Sequence, residues 1–306
     1  MSHNGKHLKA IRRARKMLAV MRNRLDPYLR LARLDRPIGT FLLLWPTMAA
    51  LWLASGSAGP DPYIFLVFFL GVWLTRANGC IINDYADRNL DRHVARTRSR
   101  PLATGELKSR DALLLFVVLG LICFSLVLTL NTTTVYMSFV GMALTIFYPF
   151  SKRFFPGPQM VLGVVWSWSI PMAFTAQTGE VSTITWLMFV AHWCWTVAYD
   201  TMYGMVDRED DLKVGIRSTA IWFGRWDRHW IAGLQVMTLG LLIAIGWLQQ
   251  LGVAYYLALV VMATLFVHQQ RMIANRDRDN CFKAFLNNQW AGLALFAGVV
   301  LGSGAF

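Results

Sequence analysis

At 306 residues, the chain is 56% apolar, with a mean hydropathy of +0.41. That exceeds the roughly 45–50% apolar share of soluble domains and excludes an ordinary soluble fold. The formal net charge is +13, and its distribution, described below, excludes nucleic acid as the partner. Cys80, Cys123, Cys194 and Cys281 are isolated, with no CxxC spacing, and read as packing residues.

Residues 1–37 hold eleven basic residues and no acid before Asp26. Ile11, Ala14, Met17, Leu18, Met21 and Leu25 share one helical face, as in a segment lying on a cytoplasmic membrane surface. An organelle transit peptide is the alternative. No cleavable secretory signal is read, because the first apolar block begins only at residue 38.

Nine apolar blocks follow, at about 38–56, 62–82, 112–130, 134–150, 158–177, 182–203, 229–248, 253–269 and 285–304. Each is near the roughly 17–25 residues that a spanning helix needs. The predicted fold is all-α, a polytopic membrane bundle of about nine transmembrane helices in two four-helix halves plus one. The division is a basic segment, 1–37, and a membrane-embedded domain, 38–306. Pro37, Pro46, Pro149, Pro158 and Pro171 fall at or within the blocks, where a membrane tolerates kinks and helix starts.

With the N-terminus inside, 29 of the 30 Lys and Arg fall on inner connections, and the exception, Arg76, lies near the inner end of the second span. The outer connections, 57–61, 131–133, 178–181 and 249–252, carry none. So complete a bias sets the orientation. It places the positive charge beside an anionic leaflet, and beside any anionic substrate that binds there.

Two stretches that directly follow apolar blocks, with Asp111 just beyond the first, hold nine of the seventeen acids. One is Asn83–Asp91 (NDYADRNLD); the other runs from Asp200 through Asp207 to Asp211. A carboxylate at the bilayer centre costs roughly 2.5–3.5 kcal/mol, so acids placed at the ends of two membrane helices point to a use. At about 100° per residue, Asn83, Asp87 and Asp91 stay on one helix face, as do Asp200, Asp207 and Asp211. Glu209 and Asp210 point elsewhere. Strips of oxygen ligands suit hard divalent cations, Mg2+ above all, whose usual companion is a phosphate. For a single acid the bland reading is a solvated loop start paired with Arg88, Arg92 or Arg208.

The same inner face supplies cations in Arg96–Pro101 (RTRSRP) and Tyr148–Arg153 (YPFSKR). They serve either as ordinary inside-positive loops or as a clamp on a leaving diphosphate. Most of the thirteen Trp suit an interfacial belt, while some aromatic faces could line an apolar tunnel and stabilise a carbocation.

These residues resemble the UbiA superfamily of intramembrane prenyltransferases, whose NxxxDxxxD and DxxxD signatures match Asn83, Asp87 and Asp91, and Asp207 and Asp211. The resemblance runs from about residue 31 to 295. It is nearest to the 4-hydroxybenzoate polyprenyltransferase branch, through Arg33–Gly39 (RLDRPIG) leading to Leu44–Thr47 (LWPT), Arg96–Leu102 (RTRSRPL), Asp200–Asp207 (DTMYGMVD) and Gly215–Ala220 (GIRSTA).

The resemblance implies a helical fold whose central cavity opens to the cytoplasm and laterally to lipid. It implies transfer of a polyprenyl chain from its diphosphate to the ring of 4-hydroxybenzoate, ortho to the hydroxyl, in ubiquinone synthesis. On that reading Asn83, Asp87, Asp91, Asp207 and Asp211 hold Mg2+, and Arg96, Arg100 and Lys152 assist the diphosphate. Asp200 polarises the phenol and accepts a proton, Arg33 pairs with the acceptor's carboxylate, and Tyr148 and Tyr203 orient diphosphate or ring. The expected location is a bacterial cytoplasmic membrane, with a mitochondrial inner membrane as the alternative. Other acceptors (menaquinone, haem or chlorophyll precursors) stay open. A CDP-alcohol phosphatidyltransferase would need a DGxxAR-type run, which the chain lacks. A cation-coupled transporter would place its acids near the bilayer midplane.

Overall fold

The computed structural model describes residues 24–304. The stretch 1–23, with most of the amphipathic face read there, lies outside the described residues. Among the described residues, all regular structure is helical. A helical segment over 24–31 leads into twelve α-helices: α1 (Ile38–Ser55), α2 (Pro62–Asp87), α3 (Pro101–Thr104), α4 (Ser109–Val127), α5 (Thr132–Ser151), α6 (Pro158–Ser167), α7 (Ser169–Thr178), α8 (Thr183–Val214), α9 (Thr219–Trp222), α10 (Asp227–Leu248), α11 (Val253–Met272) and α12 (Arg278–Gly302).

Helix starts follow local chemistry. Asp61 accepts from the backbone N–H groups of Tyr63 and Ile64, with Pro62 in the first turn, where its missing N–H costs nothing. Ser182 and Thr185 form a capping box on α8.

Among the described residues, seven helices are long and apolar enough to cross a membrane: α1, α2, α4, α5, α10, α11 and α12. The other two expected blocks take different forms. Block 158–177 is α6 and α7, interrupted at Trp168. Pro171 explains the break, since it offers no N–H and its ring crowds the Ser167 carbonyl. Block 182–203 is the first part of α8, a 32-residue helix with three Trp, two Tyr and one His that continues through the second acidic stretch. Gly215, at φ 72°, ends it in a left-handed cap.

The hub is α8, which packs against α1, α6, α7, α9, α10 and α12 and buries Trp195, Tyr199 and Met202. Polar side chains pair inside the apolar bundle. Trp195 Nε1 donates to Asn288 Oδ1 at 2.8 Å, joining α8 to α12, and Gln235 Nε2 donates to Gln269 Oε1 at 2.9 Å, joining α10 to α11. Gly298 lets α11 and α12 touch, since a Cβ there would lie 2.4 Å from that of Ala258. The outermost helices are α4 and α5, each with 11% of its apolar window buried, against 61% in α1.

Candidate active site

The acids and bases meet where α2 and α8 end. Asn83, Asp84 and Asp87 lie in the last turns of α2, which stops at Asp87. Asp91 therefore does not continue that helix face, and the α-helical strip expected through it is corrected: Asp91 opens a short 3-10 turn, Asp91–His93. Between them, Leu90 N donates to Asp87 O at 2.7 Å, closing a tight turn. The stretch from Arg88 to His93 has only Leu90 as an apolar side chain to bury, so nothing holds it as a further helical turn. Asp91 still returns to the cluster. Its Oδ2 lies 2.9 Å from Arg100 Nη1, which also stands 2.9 Å from Asp84 Oδ1.

The second strip holds as the spacing required, because Asp200, Asp207 and Asp211 all belong to α8. Glu209 turns outward, its side chain 76% exposed against Arg278.

Each expected cation meets a carboxylate. Arg96 donates to Asp207 and, through Nη1, to Tyr203 Oη at 2.5 Å. Lys152 pairs with Asp87. Arg33, at φ 57°, gives Nη2 to both Asp84 oxygens at 2.9 and 2.8 Å and Nη1 to the Arg30 carbonyl at 2.7 Å. The Tyr203 ring stacks on Phe285 with centroids 4.5 Å apart.

A cavity of about 1340 Å³ opens among these groups. Arg33, Asn83, Arg96, Arg100, Tyr148, Asp200 and Tyr203 line its polar part, and Phe116, Leu121, Phe124, Phe139 and Met142 carry it between α4 and α5. Asp87, Asp91, Lys152, Asp207 and Asp211 do not line it themselves; Asp207 and Asp91 border it through Arg96 and Arg100, which do.

The donor set suits a hard divalent cation. Among the described residues, no three His, Cys, Asp or Glu side chains already converge as a ligand cluster. Asn83 Oδ1 and Asp87 Oδ1, however, are buried oxygens with no hydrogen-bond partner, the kind of hard donor such ions take. Burial raises the Asp91 carboxyl above the usual range; Arg100 opposes the shift, and Asp84 and Asp87 reinforce it. Burial, with the Asp207 charge beside it, pushes Asp211 up to about 7. A bound cation would counter the crowding of like charges that contributes to both shifts.

Two residues escaped the sequence reading of the site. Asp84 is 1% exposed and holds both Arg33 and Arg100. Arg76, on α2, lines the cavity with its guanidinium 5.4 Å from the Trp166 ring. Its Nη1 donates to Cys80 Sγ, its Nε is buried without a partner, and no carboxylate pairs with it among the described residues. Gly39 makes room for it, since a Cβ there would lie 2.7 Å from Arg76 Nη2. The signal was present in the charge tally, where Arg76 is the sole Lys or Arg off the inner connections.

Comparison with known proteins agrees with this architecture. The chain is 60% identical over 276 residues to the 4-hydroxybenzoate octaprenyltransferase of Shewanella sediminis, covering 90% of this chain and 96% of the relative. It is likewise 60% identical over 279 residues to the enzyme of that name in Shewanella amazonensis, covering 91% and 96%. In fold it is similar to the apo structure of a UbiA homolog from Aeropyrum pernix, with a TM-score of 0.76 at 24% identity over 86% of this chain and 96% of that one. It also resembles a UbiA homolog from Archaeoglobus fulgidus bound to GPP and Mg2+, with a TM-score of 0.70 at 17% identity over 90% and 99%. Residues 43–298 match the UbiA prenyltransferase family, and the chain belongs to that family.

Proposed function

We propose that the chain is an integral enzyme of a bacterial cytoplasmic membrane that transfers a polyprenyl group from polyprenyl diphosphate to 4-hydroxybenzoate, ortho to the hydroxyl, in ubiquinone synthesis. The observation that carries this reading is the single cavity joining a charged end, with Asn83, Arg96, Arg100 and Asp200, to an apolar passage between α4 and α5. Such a space suits a substrate with an anionic head and a long hydrocarbon tail. The names of the Shewanella relatives supply the acceptor.

The residues divide the work. Asn83, Asp87, Asp91, Asp207 and Asp211 would hold Mg2+, which when bound neutralises charge on the diphosphate. Arg96, Arg100 and Lys152 add fixed positive charge where the allylic C–O bond breaks, and the electron pair leaves with the diphosphate. The phenol ring then forms the new C–C bond to the allylic cation. Asp200, half-buried in the cavity wall, polarises the phenol and accepts the proton released. Tyr148 and Tyr203 orient diphosphate or ring.

Two cations compete for the acceptor's carboxylate. Arg33, expected in that role, has donors committed to Asp84 and the Arg30 carbonyl. Arg76 lines the cavity and has no carboxylate partner among the described residues, which favours it as the partner of a buried carboxylate.

In the membrane the chain makes nine crossings with its N-terminus inside, two groups of four plus one. The broken pair α6–α7 forms one crossing, and α8 as far as about residue 203 forms another. The distribution of Lys and Arg supports this orientation.

The test supplies membranes carrying the protein with a polyprenyl diphosphate, Mg2+ and a panel of phenolic and quinone-precursor acceptors. Prenylated 4-hydroxybenzoate is the expected product. Preference for another acceptor would overturn the substrate assignment and leave the chemistry standing.

A further inference from the structure

Asp227, at the start of α10, is fully buried, yet none of the chemistry above uses it. Arg208 Nη2 reaches its Oδ2 at 2.6 Å, and Arg276 reaches its Oδ1 with Nη2 at 2.8 Å and its Oδ2 with Nε at 3.1 Å. The backbone N–H of Arg228 adds a fourth contact at 2.7 Å. The arginines bind outward as well: Arg208 donates to the carbonyls of Ala220 and Gly224, and Arg276 to that of Arg225 at 3.0 Å. Arg276 takes up a left-handed backbone, φ 56°, in the short link between α11 and α12, a conformation disfavoured for a side chain of this size. One carboxylate thus ties together α8, the connection that follows it, α10 and the α11–α12 link.

Arg208 directly follows Asp207 and lies three residues before Asp211 on the part of α8 that runs past the expected membrane edge near residue 203. Gln159 and Thr201 both bond Thr219 on α9, at 2.8 and 2.7 Å, at the membrane end of this extension, and Arg278 touches Glu209 and Asp210 on its exposed side. The Arg208–Asp227 pair is its buried anchor. The geometry points to Asp227 as a positioning residue: through Arg208 it holds the α8 extension so that Asp207 and Asp211 face the site. This rests on the reading that Asp207 and Asp211 face the metal.

The carboxylate binds two guanidinium groups, so replacing it by an amide leaves two cations facing each other across a buried site. The extension then keeps its sequence and helical propensity but loses its fixed aspect. A preformed site becomes one that the cation must organise.

The experiment uses the full-length protein in detergent or nanodiscs and takes two readings that do not depend on the acceptor. The first is Mg2+-dependent binding of geranyl diphosphate, followed by tryptophan fluorescence. The second is hydrogen exchange of peptides covering 204–214 and 83–91 in metal-free protein. Asp227→Asn should raise the half-saturating Mg2+ about tenfold and accelerate exchange across 204–214, leaving 83–91 as in the parent. Arg276→Gln, which keeps the Arg208–Asp227 contact, should shift both readings in the same direction, with a rise of about threefold in half-saturating Mg2+. Should Asp227→Asn fail to accumulate, Arg276→Gln decides alone. A variant with a lowered melting temperature but unchanged Mg2+ requirement, or unchanged exchange over 204–214, would reduce Asp227 to a structural residue and overturn the proposal. Failure of the parent protein to prenylate 4-hydroxybenzoate would bear on the acceptor alone.

Discussion

Arg96 grips the Asp207 carboxylate across 111 residues of sequence, with Nε 3.0 and 2.9 Å from its two oxygens and Nη2 2.5 Å from Oδ2. The loop after the first acidic cluster therefore reaches the second cluster and brings the two together. This contact sets the expected behaviour of the carboxylates around it.

Asp207→Ala should lower turnover by roughly two to three orders of magnitude, the scale seen when one charge-stabilising group is lost from a reacting centre. Membrane insertion should stay intact. Glu209→Ala, only two residues on, should remain within a factor of about two, because that side chain points to solvent beside Arg278. Turnover and membrane yield of both variants are the measurements; equal losses would mean that the α8 strip does not select Asp207.

Metal removal gives a second expectation. EDTA should abolish prenyl transfer, Mg2+ should restore it, and released pyrophosphate should match prenylated product one for one. Turnover that survives chelation would detach the oxygen donors Asn83 and Asp87 from the chemistry.

Arg76 and Arg33 are separable by kinetics. Losing a charge-assisted hydrogen bond to the acceptor's carboxylate costs about 1.5–3 kcal/mol, or roughly tenfold to a hundredfold in KM. Arg76→Ala should show this for 4-hydroxybenzoate and barely move the KM for the diphosphate, and Arg76→Lys should recover only part, lacking the fork. A loss confined to Arg33→Ala would return the role to Arg33. If Arg33→Ala changes the diphosphate KM instead, that side chain belongs with Arg96 and Arg100.

Orientation is testable without activity. A reporter fused near residue 180 should read as external and one near 215 as cytoplasmic. The reverse at either position would break the nine-crossing assignment and separate the two acidic clusters.

Much of this site was legible because the membrane simplifies the code. Long apolar blocks announce helices, and carboxylates beside them stand out. Asp200, Asp207 and Asp211 could be phased correctly because α8 continues through them. Asp91 could not, since helical periodicity says nothing of where a helix stops, and α2 stops at Asp87. The break at Trp168 depends on how one proline fits its preceding turn. Arg33 shows a different limit: sequence can set a charge near the cavity, while the protein carboxylate it pairs with, Asp84, lies 51 residues away and is not legible from spacing.

The uninterrupted length of α8 has a mechanical consequence. Asp200 and Asp207 stand seven residues apart on one rod, a rise of about 10 Å at 1.5 Å per residue. The helix is unbroken between them, so the separation between the depth at which a ring could lose its proton and the level at which a diphosphate could be held is set by helix geometry. The helix serves as a gauge bar between oil and water, and the thickness of the surrounding bilayer leaves its calibration unchanged.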